Sequence, residues 1–160
     1  MKSKILLKLL SLLGFSTVAA SCEFIGAAEY GCPSADYVFN VDVKDAETNA
    51  PIEGMRVSAI VRHTGEYYNP TTGGYDTERV DTLAWELTNE QGKVTLSMTD
   101  FPVSLHEIAA DDIDGAENGG HYSTVSTEVT TERDDYKNPG DWYSGKATHN
   151  VTLKTTKLSE

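Results

Sequence analysis

Polar and apolar residues alternate along most of this chain, which is typical of β-strands that bury one face. Two runs show it most clearly, and their apolar residues are Tyr37, Phe39, Val41 and Val43, then Met55, Val57, Ala59 and Val61. The same pattern predicts five further strands, at 80–87, 93–98, 103–110, 122–130 and 146–155. No amphipathic helical period follows residue 21, so the chain is predicted to be all-β.

Turn-forming residues separate the predicted strands. Residues 45–51 have turn chemistry, and residues 63–79 are rich in Gly, Asn, Pro and Tyr, which indicates an irregular loop or a long hairpin tip. Residues 89–92 suit a tight reversal in which Gly92 takes positive φ. Seven short strands joined by such turns predict a single β-sandwich with one modest core.

Two groups of aromatic residues lie mainly outside the predicted strands. They are Tyr67, Tyr68 and Tyr75 in one loop, and Tyr136, Trp142 and Tyr143 in another. If both loops lie at one end of the sandwich, their rings could stack on a sugar or hold a protein partner. Trp142 could instead close the end of the core. Trp85 alternates with Leu83 and Leu87 and is predicted to be buried.

The N-terminus has the layout of a secretory signal peptide. Lys2 and Lys4 precede an apolar run, interrupted by Lys8, that falls short of the roughly 20 residues needed to span a membrane. The following Ala-Ala-Ser-Cys, residues 19–22, resembles a lipobox, where a signal peptidase cleaves before a diacylated cysteine. Cys22 is therefore predicted to be the lipid-bearing N-terminus of the mature chain. The alternative is an ordinary secretory signal with a coincidental cysteine.

Charge and cysteine count narrow the possible partners. The chain has 13 basic and 25 acidic residues, and removal of residues 1–21 takes away three lysines and no acid, so the net charge changes from −12 to −15. Such a surface repels phosphate backbones, so no nucleic acid is expected as a partner. If Cys22 carries lipid, Cys32 is a lone thiol; the alternative Cys22–Cys32 disulfide would compete with acylation.

Two segments resemble the carboxypeptidase regulatory-like domain. Residues 41–57 combine a strand, an acidic turn and a Pro-x-x-Gly step into a second strand, and residues 88–96 resemble the later hairpin of that family. The resemblance implies a transthyretin-like or Ig-like β-sandwich.

A longer resemblance covers nearly the whole chain. The lipobox, residues 29–33, the step at 51–57, the Asp- and Gly-rich segment 112–120 and Trp142-Tyr143-x-Gly145 occur in the order seen in the radical SAM-associated lipoproteins of Bacteroidetes. Cys32 departs from that pattern, where Thr or another small residue is expected. The resemblance implies that the chain is located in the cell envelope and is associated with a radical SAM enzyme. It does not indicate any reaction. Residues 81–83 also resemble the Bacteroidetes O-glycosylation tripeptide, which we expect to be occupied only on an edge strand.

No catalytic motif is apparent in the sequence. A Gly-x-Ser-x-Gly nucleophile elbow is absent, and the histidines at 63, 106, 121 and 149 form no metal-binding pair. His106 is predicted at a solvated strand position. Acidic pairs in so acidic a chain nominate no general acid and base. The chain is therefore expected not to be an enzyme.

One loop has the composition of a calcium site. Asp112, Asp114, Glu117 and Asn118 offer the oxygen ligands that Ca²⁺ prefers, although the spacing is not that of an EF-hand. The other interpretation, which we favour, is an Asp- and Gly-rich turn whose side chains bond to their own backbone. No other cofactor is indicated.

Together these features predict a lipoprotein signal peptide at 1–21, a lipidated tether at 22–36 and a β-sandwich at 37–160. The expected function is that of a non-catalytic binding or structural module, anchored in the cell envelope at the outer membrane, with a protein or glycan partner. Two alternatives stay open: a substrate or accessory protein of a radical SAM maturase, and a fimbrial or adhesin-like assembly subunit.

Overall fold

The computed structural model describes residues 31–115, 117 and 120–158. These residues form seven strands and one 3-10 helix, Arg133–Asp135. The strands are β1 Ser34–Asp45, β2 Arg56–Asn69, β3 Gly74–Leu87, β4 Lys93–Asp100, β5 Leu105–Asp111, β6 Val125–Thr130 and β7 Tyr143–Thr155.

The seven strands form two sheets that pack face to face. One sheet has the order β4-β1-β7 and the other the order β3-β2-β5-β6. β1 pairs antiparallel with β4 and parallel with β7, and every pair in the second sheet is antiparallel. The predicted all-β sandwich of about seven strands is therefore confirmed.

Every second residue of β1 is buried, and this face forms the centre of the core. The predicted apolar positions of β1 and β2 all point inward. They meet buried residues of other strands, among them Leu96, Ile108, Ala110, Ala147 and Leu153. Burial of each large apolar side chain contributes about 1.5–3 kcal/mol, so the alternation along β1 is the main sequence signal for the fold.

The two ends of the sandwich differ in construction. β1 begins, β4 ends and β7 begins at one end, where Ala35 pairs with Asp100 and Ser34 pairs with Tyr143. We call this the open end. The opposite end contains the connections 46–55 and 88–92, and we call it the closed end.

Residues 63–79 belong to a β-hairpin, which was one of the two predicted alternatives. β2 and β3 pair as far as Asn69 and Gly74, whereas β5 pairs with β2 only between Arg56 and Ile60. The outer half of the hairpin therefore extends beyond the rest of its sheet at the open end.

The reversal at 89–92 is confirmed, but it does not close a hairpin. Gly92 has φ of +68°, and its N–H donates to the carbonyl of Asn89 at 2.7 Å. β3 and β4 lie in different sheets, so this turn carries the chain across the sandwich. The hairpin implied by the family resemblance is wrong at this point.

Several strand limits differ from the prediction. β1 begins at Ser34, three residues earlier than expected, and β7 begins at Tyr143, also three residues earlier. β5 begins later, at Leu105, because the hydroxyl of Tyr37 binds the backbone of Val103 and holds the preceding segment outside the ladder. β6 begins at Val125.

The prediction that Trp85 is buried is wrong. Its side chain is 57% exposed, and Leu87 is 47% exposed. Trp85 pairs with Ser58, whereas the neighbouring pair, Ala84 with Ala59, points toward the core. Because Ala84 faces the core opposite Ala59, Trp85 and Leu87 lie on the outer face of the sheet.

The prediction that His106 is solvated is also wrong. His106 is 0% exposed and shares the inward face of β5 with Ile108. Its ring centroid lies 4.4 Å from that of Tyr37 and 5.2 Å from that of Phe39. A single polar residue on an otherwise apolar inward face escapes a pattern analysis that assigns polar residues to the solvent.

Candidate functional site

A cleft of about 640 Å³ lies at the open end of the sandwich. Its walls are the segment 102–104, the residues around the 3-10 helix and the start of β7. The side chains most relevant to binding are Arg133, Tyr136, Asp141, Trp142 and Tyr143, together with Pro102 and Pro139. Three of the sequence-predicted aromatic residues therefore line one site.

The hydroxyl of Tyr37 holds the walls of this cleft in place from the core side. It accepts a hydrogen bond from the N–H of Val103 at 2.7 Å and lies 2.9 Å from the hydroxyl of Tyr136. The carbonyl oxygens of Phe101 and Val103 are each 3.2 Å away. Burial, and then the bond to Tyr37, raises the pKa of Tyr136, so its phenol stays protonated and serves as a neutral hydrogen-bonding group.

The two aromatic residues at the start of β7 have different roles. The hydroxyl of Tyr143 donates to Asp36 at 2.8 Å, so its polar group is already occupied. Hydrogen bonds from Thr99 and then Tyr143 lower the pKa of Asp36. The Trp142 carbonyl accepts from the N–H of Ser34 at 3.0 Å, while its side chain is 54% exposed. Trp142 is thus fixed by its backbone and is half-exposed in the lining of the cleft.

The hairpin tyrosines lie at the same end but are divided between two places. Tyr67 lines a second cleft, of about 560 Å³, and Val103 lines both this cleft and the first. Tyr68 and Tyr75 are register partners whose ring centroids are 5.7 Å apart in an edge-on arrangement. Both are well exposed and line neither of these two clefts. The two aromatic loops therefore share an end, without forming a single site.

The chemistry of the first cleft suits binding by stacking and hydrogen bonds. Arg133 is the one basic residue and Asp141 the one carboxylate among its described lining residues, and the lining contains no histidine or cysteine. Thr131 has a hydroxyl 3.0 Å from Nε2 of His149, but its side chain is buried. A Trp face beside a few polar groups fits a sugar ring or an extended peptide.

The Asp- and Gly-rich loop is organised by one carboxylate. Asp112 accepts hydrogen bonds from the backbone N–H groups of Asp114, Gly115 and Tyr122, at 3.2, 2.8 and 2.7 Å. Those bonds outweigh the opposing effect of burial, and the pKa of Asp112 is lowered. This is the geometry of the turn that we favoured. Asn118 lies outside the described residues, so the calcium site stays a prediction.

The described residues contain neither a metal-binding cluster nor a membrane-spanning helix. Among residues 31–115, 117 and 120–158, no three His, Cys, Asp or Glu side chains are grouped so that they could hold a metal ion. No helix in that part of the chain is long and apolar enough to span a membrane. Cys32 is an exposed free thiol, whereas Cys22 lies outside the described residues.

The edge-strand condition for the glycosylation tripeptide is met. β3 is an edge strand, and Thr82 is exposed on it. The role of Tyr37 in organising the site could not be predicted, because its position in an apolar alternation indicated only a core role. Phe101 was also missed, since a single apolar residue in a connection carries no periodic signal, and Val103 was predicted only as the first residue of a strand.

Comparison with known proteins gives a likeness in shape alone. No family model and no curated protein matches the sequence. Among solved structures, the group B streptococcus pilus 2b backbone protein is similar at a TM-score of 0.43 and 15% identity, over 76% of this chain and 41% of that one.

Two structures of the shaft pilin SpaA from Lactobacillus rhamnosus GG are also similar. A double mutant gives a TM-score of 0.38 at 12% identity, over 78% of this chain and 48% of that one. The C-terminal domain gives 0.36 at 11%, over 77% and 98%. This chain thus spans less than half of the pilus 2b protein and of the double mutant, and TM-scores below 0.5 carry no argument about its function.

Proposed function

We propose that this chain is an exported lipoprotein, anchored through Cys22 at the outer membrane, that acts as a non-catalytic binding module of the cell envelope. The observation that carries the binding role is the cleft at the open end, where the exposed ring of Trp142 stands beside Tyr136, Arg133 and Asp141. The anchor rests on the lipobox-like residues 19–22.

The composition of the cleft supports a non-catalytic role. General acid–base hydrolysis of glycosides uses two carboxyl groups, and nucleophilic catalysis uses a hydroxyl or thiol next to a base. The described lining provides one carboxylate, from Asp141, and its serines have no histidine beside them in the lining. The groups present suit recognition of a glycan or of an extended segment of a protein partner.

Mass spectrometry of the protein from its native host tests the anchor and the radical SAM link together. We expect an N-terminal Cys22 peptide carrying acyl chains. An unacylated N-terminus at any other residue contradicts the anchor. An additional mass shift on a residue between 31 and 158 would instead favour the alternative proposal. In that proposal, which the family resemblance suggests, the chain is a substrate of a radical SAM maturase.

Binding is tested with a glycan array and with envelope extracts. We expect Trp142→Ala to weaken capture at least tenfold, because loss of a stacked ring removes about 1.5 kcal/mol or more. Trp85→Ala is the matched control, since Trp85 is equally exposed but lies far from the cleft. Equal losses in both variants would contradict a site at Trp142.

The second candidate function is that of an assembly subunit. The observation that favours it is β3, a 14-residue edge strand whose outer face carries exposed Val80, Trp85 and Leu87. An edge strand with apolar side chains is a template for pairing with another chain. Light scattering after size exclusion tests it: oligomers that Trp85→Lys disperses would support assembly, and a monomer at all concentrations would exclude self-assembly.

A further inference from the structure

Exposed large aromatic side chains are concentrated at the open end of the sandwich. Among the described residues there are five, namely Tyr68, Tyr75, Trp85, Phe101 and Trp142. Phe101 follows β4 directly and Trp142 precedes β7, both beside the start of β1. Tyr68 and Tyr75 form a pair near the tip of the hairpin that extends at this end. Only Trp85 lies elsewhere, two residues before the closed end of β3.

The chain enters the domain at the same end. β1 begins at Ser34, twelve residues after the predicted lipid-bearing Cys22. A chain of that length reaches at most roughly 40 Å even when fully extended. β1 alone, with 12 residues, is about 40 Å long. The open end is therefore the part of the domain that lies closest to the anchor along the chain.

We propose that the open end rests against the bilayer that holds Cys22, with Phe101, Trp142, Tyr68 and Tyr75 in its headgroup region. This inference rests on the proposed lipid anchor and on the proposed binding role, because it makes the lipid headgroups of that bilayer the ligand that the ring of Trp142 contacts. Tyr and Trp rings favour that region because they present an apolar body and a polar group together. Insertion of four partly exposed rings adds contact area that a single lipid attachment point does not supply, and it orients the domain.

The net charge of the chain indicates which lipid headgroups the open end contacts. The mature chain has a net charge of −15, which disfavours approach to an anionic surface. The open end itself carries both signs, with Arg133 near the cleft and Asp141 beside Trp142. We therefore expect docking onto zwitterionic headgroups, such as phosphatidylethanolamine, and weaker docking as anionic phosphatidylglycerol is added.

The two tryptophans of the chain provide an internal comparison. They are almost equally exposed, at 54% for Trp142 and 57% for Trp85, but only Trp142 lies at the open end. Trp85→Phe leaves Trp142 as the only indole, and Trp142→Phe leaves Trp85. The acylated chain is reconstituted in phosphatidylethanolamine–phosphatidylcholine vesicles that contain nitroxide-labelled headgroups. We expect at least twofold stronger quenching of Trp142 than of Trp85.

Flotation of the vesicles separates failure of this inference from failure of the anchor. If the acylated chain floats with the vesicles and both tryptophans are quenched equally, the orientation is refuted while the anchor stands. If the chain does not float, the anchor itself fails and the orientation with it. The acyl-free Cys22→Ser chain is measured without vesicles at rising protein concentration. If the indole of Trp142 then becomes shielded from solvent, the open end pairs two copies of the chain, and the membrane assignment is overturned.

Discussion

The closed end and the open end of this sandwich use their side chains in opposite ways. At the closed end, short polar side chains bond to the backbone of their own turns: Asp45 accepts from the N–H groups of Glu47 and Thr48, and Thr88 joins Ile52 to Met55. At the open end, large side chains such as Trp142 and Tyr75 remain exposed, and two clefts lie between the segments that connect the strands.

This difference separates structural groups from groups that are available for binding. A buried or half-buried hydrogen-bonding group that is already paired has little left to offer a ligand. The polar groups of the closed end hold its turns in place, so we expect substitutions there to change the free energy of unfolding. The open end keeps exposed rings over a core that Tyr37 organises, so its surface can change with little effect on folding.

The largest expected effect on stability is at the closed end, for Gly92→Ala. Gly92 has φ of +68°, and an added Cβ would lie 2.5 Å from the carbonyl oxygen of Val43 and 2.9 Å from Cβ of Pro51. Left-handed backbone with a side chain and crowding against fixed neighbours together cost about 4 kcal/mol. Urea unfolding measures the change in the free energy of unfolding.

Gly73→Ala is the matched control at the open end. Gly73 has nearly the same φ, +70°, but an added Cβ meets no atom within 4 Å. Only the backbone term remains, so we expect a loss of about 1 kcal/mol. Equal losses for the two variants would show that the closed end is no more tightly built than the hairpin tip.

The next largest effect is a dependence of stability on pH, caused by His106. Burial, followed by repulsion from His149, lowers the pKa of His106 to about 4, whereas an unfolded histidine titrates near 6.5. The unfolded chain therefore takes up a proton between these values and the folded chain does not. Stability from this group is complete above pH 6.5 and falls by about 3 kcal/mol as the pH drops to 4.

His106→Leu isolates that contribution, because leucine fits an apolar site and does not titrate. Carboxyl groups with lowered pKa, such as Asp45 and Asp112, lose their contribution mainly below their ordinary pKa of 3.8, outside this window. We expect the difference in unfolding free energy between the variant and the parent chain to change with pH from 6.5 to 4. A constant difference would contradict a neutral buried histidine.

A smaller effect is expected for Tyr37→Phe, below the open end. The substitution keeps the ring in the core but removes the hydroxyl that pairs with the N–H of Val103 and the hydroxyl of Tyr136. Loss of these partly buried hydrogen bonds together costs about 2 kcal/mol. Tyr143→Phe removes one bond to Asp36 at a more exposed position, and its cost should stay below about 1 kcal/mol. Thermal unfolding compares the two.

The smallest effect is expected for Tyr75→Ser at the hairpin. Tyr75 is 69% exposed and its one ring contact in the described structure is with Tyr68. We expect a change of about 0.5 kcal/mol in the free energy of unfolding, together with weaker headgroup contact by the acylated chain. A loss above about 2 kcal/mol would place this tyrosine in the structural framework and remove the contrast between the two ends.

Local patterns along the chain were enough to predict the number of strands, the core face of β1 and the chemistry of the turns. The alternation from Tyr37 to Val43 and the glycine at 92 are local signals, because a strand shows its buried face every second residue and a turn needs particular backbone angles at one position. These signals were sufficient for the fold class and for the Asp112 turn.

Three properties could not be predicted from local patterns: which face of β3 is exposed, which end of the sandwich contains the aromatic loops, and what surrounds His106. Trp85 has an apolar alternation like that of a core strand, and its exposure follows from its pairing with Ser58, which places it on the outer face of an edge strand. The pairing of strands distant in sequence sets these properties. They depend on long-range register, which a short periodic pattern does not contain.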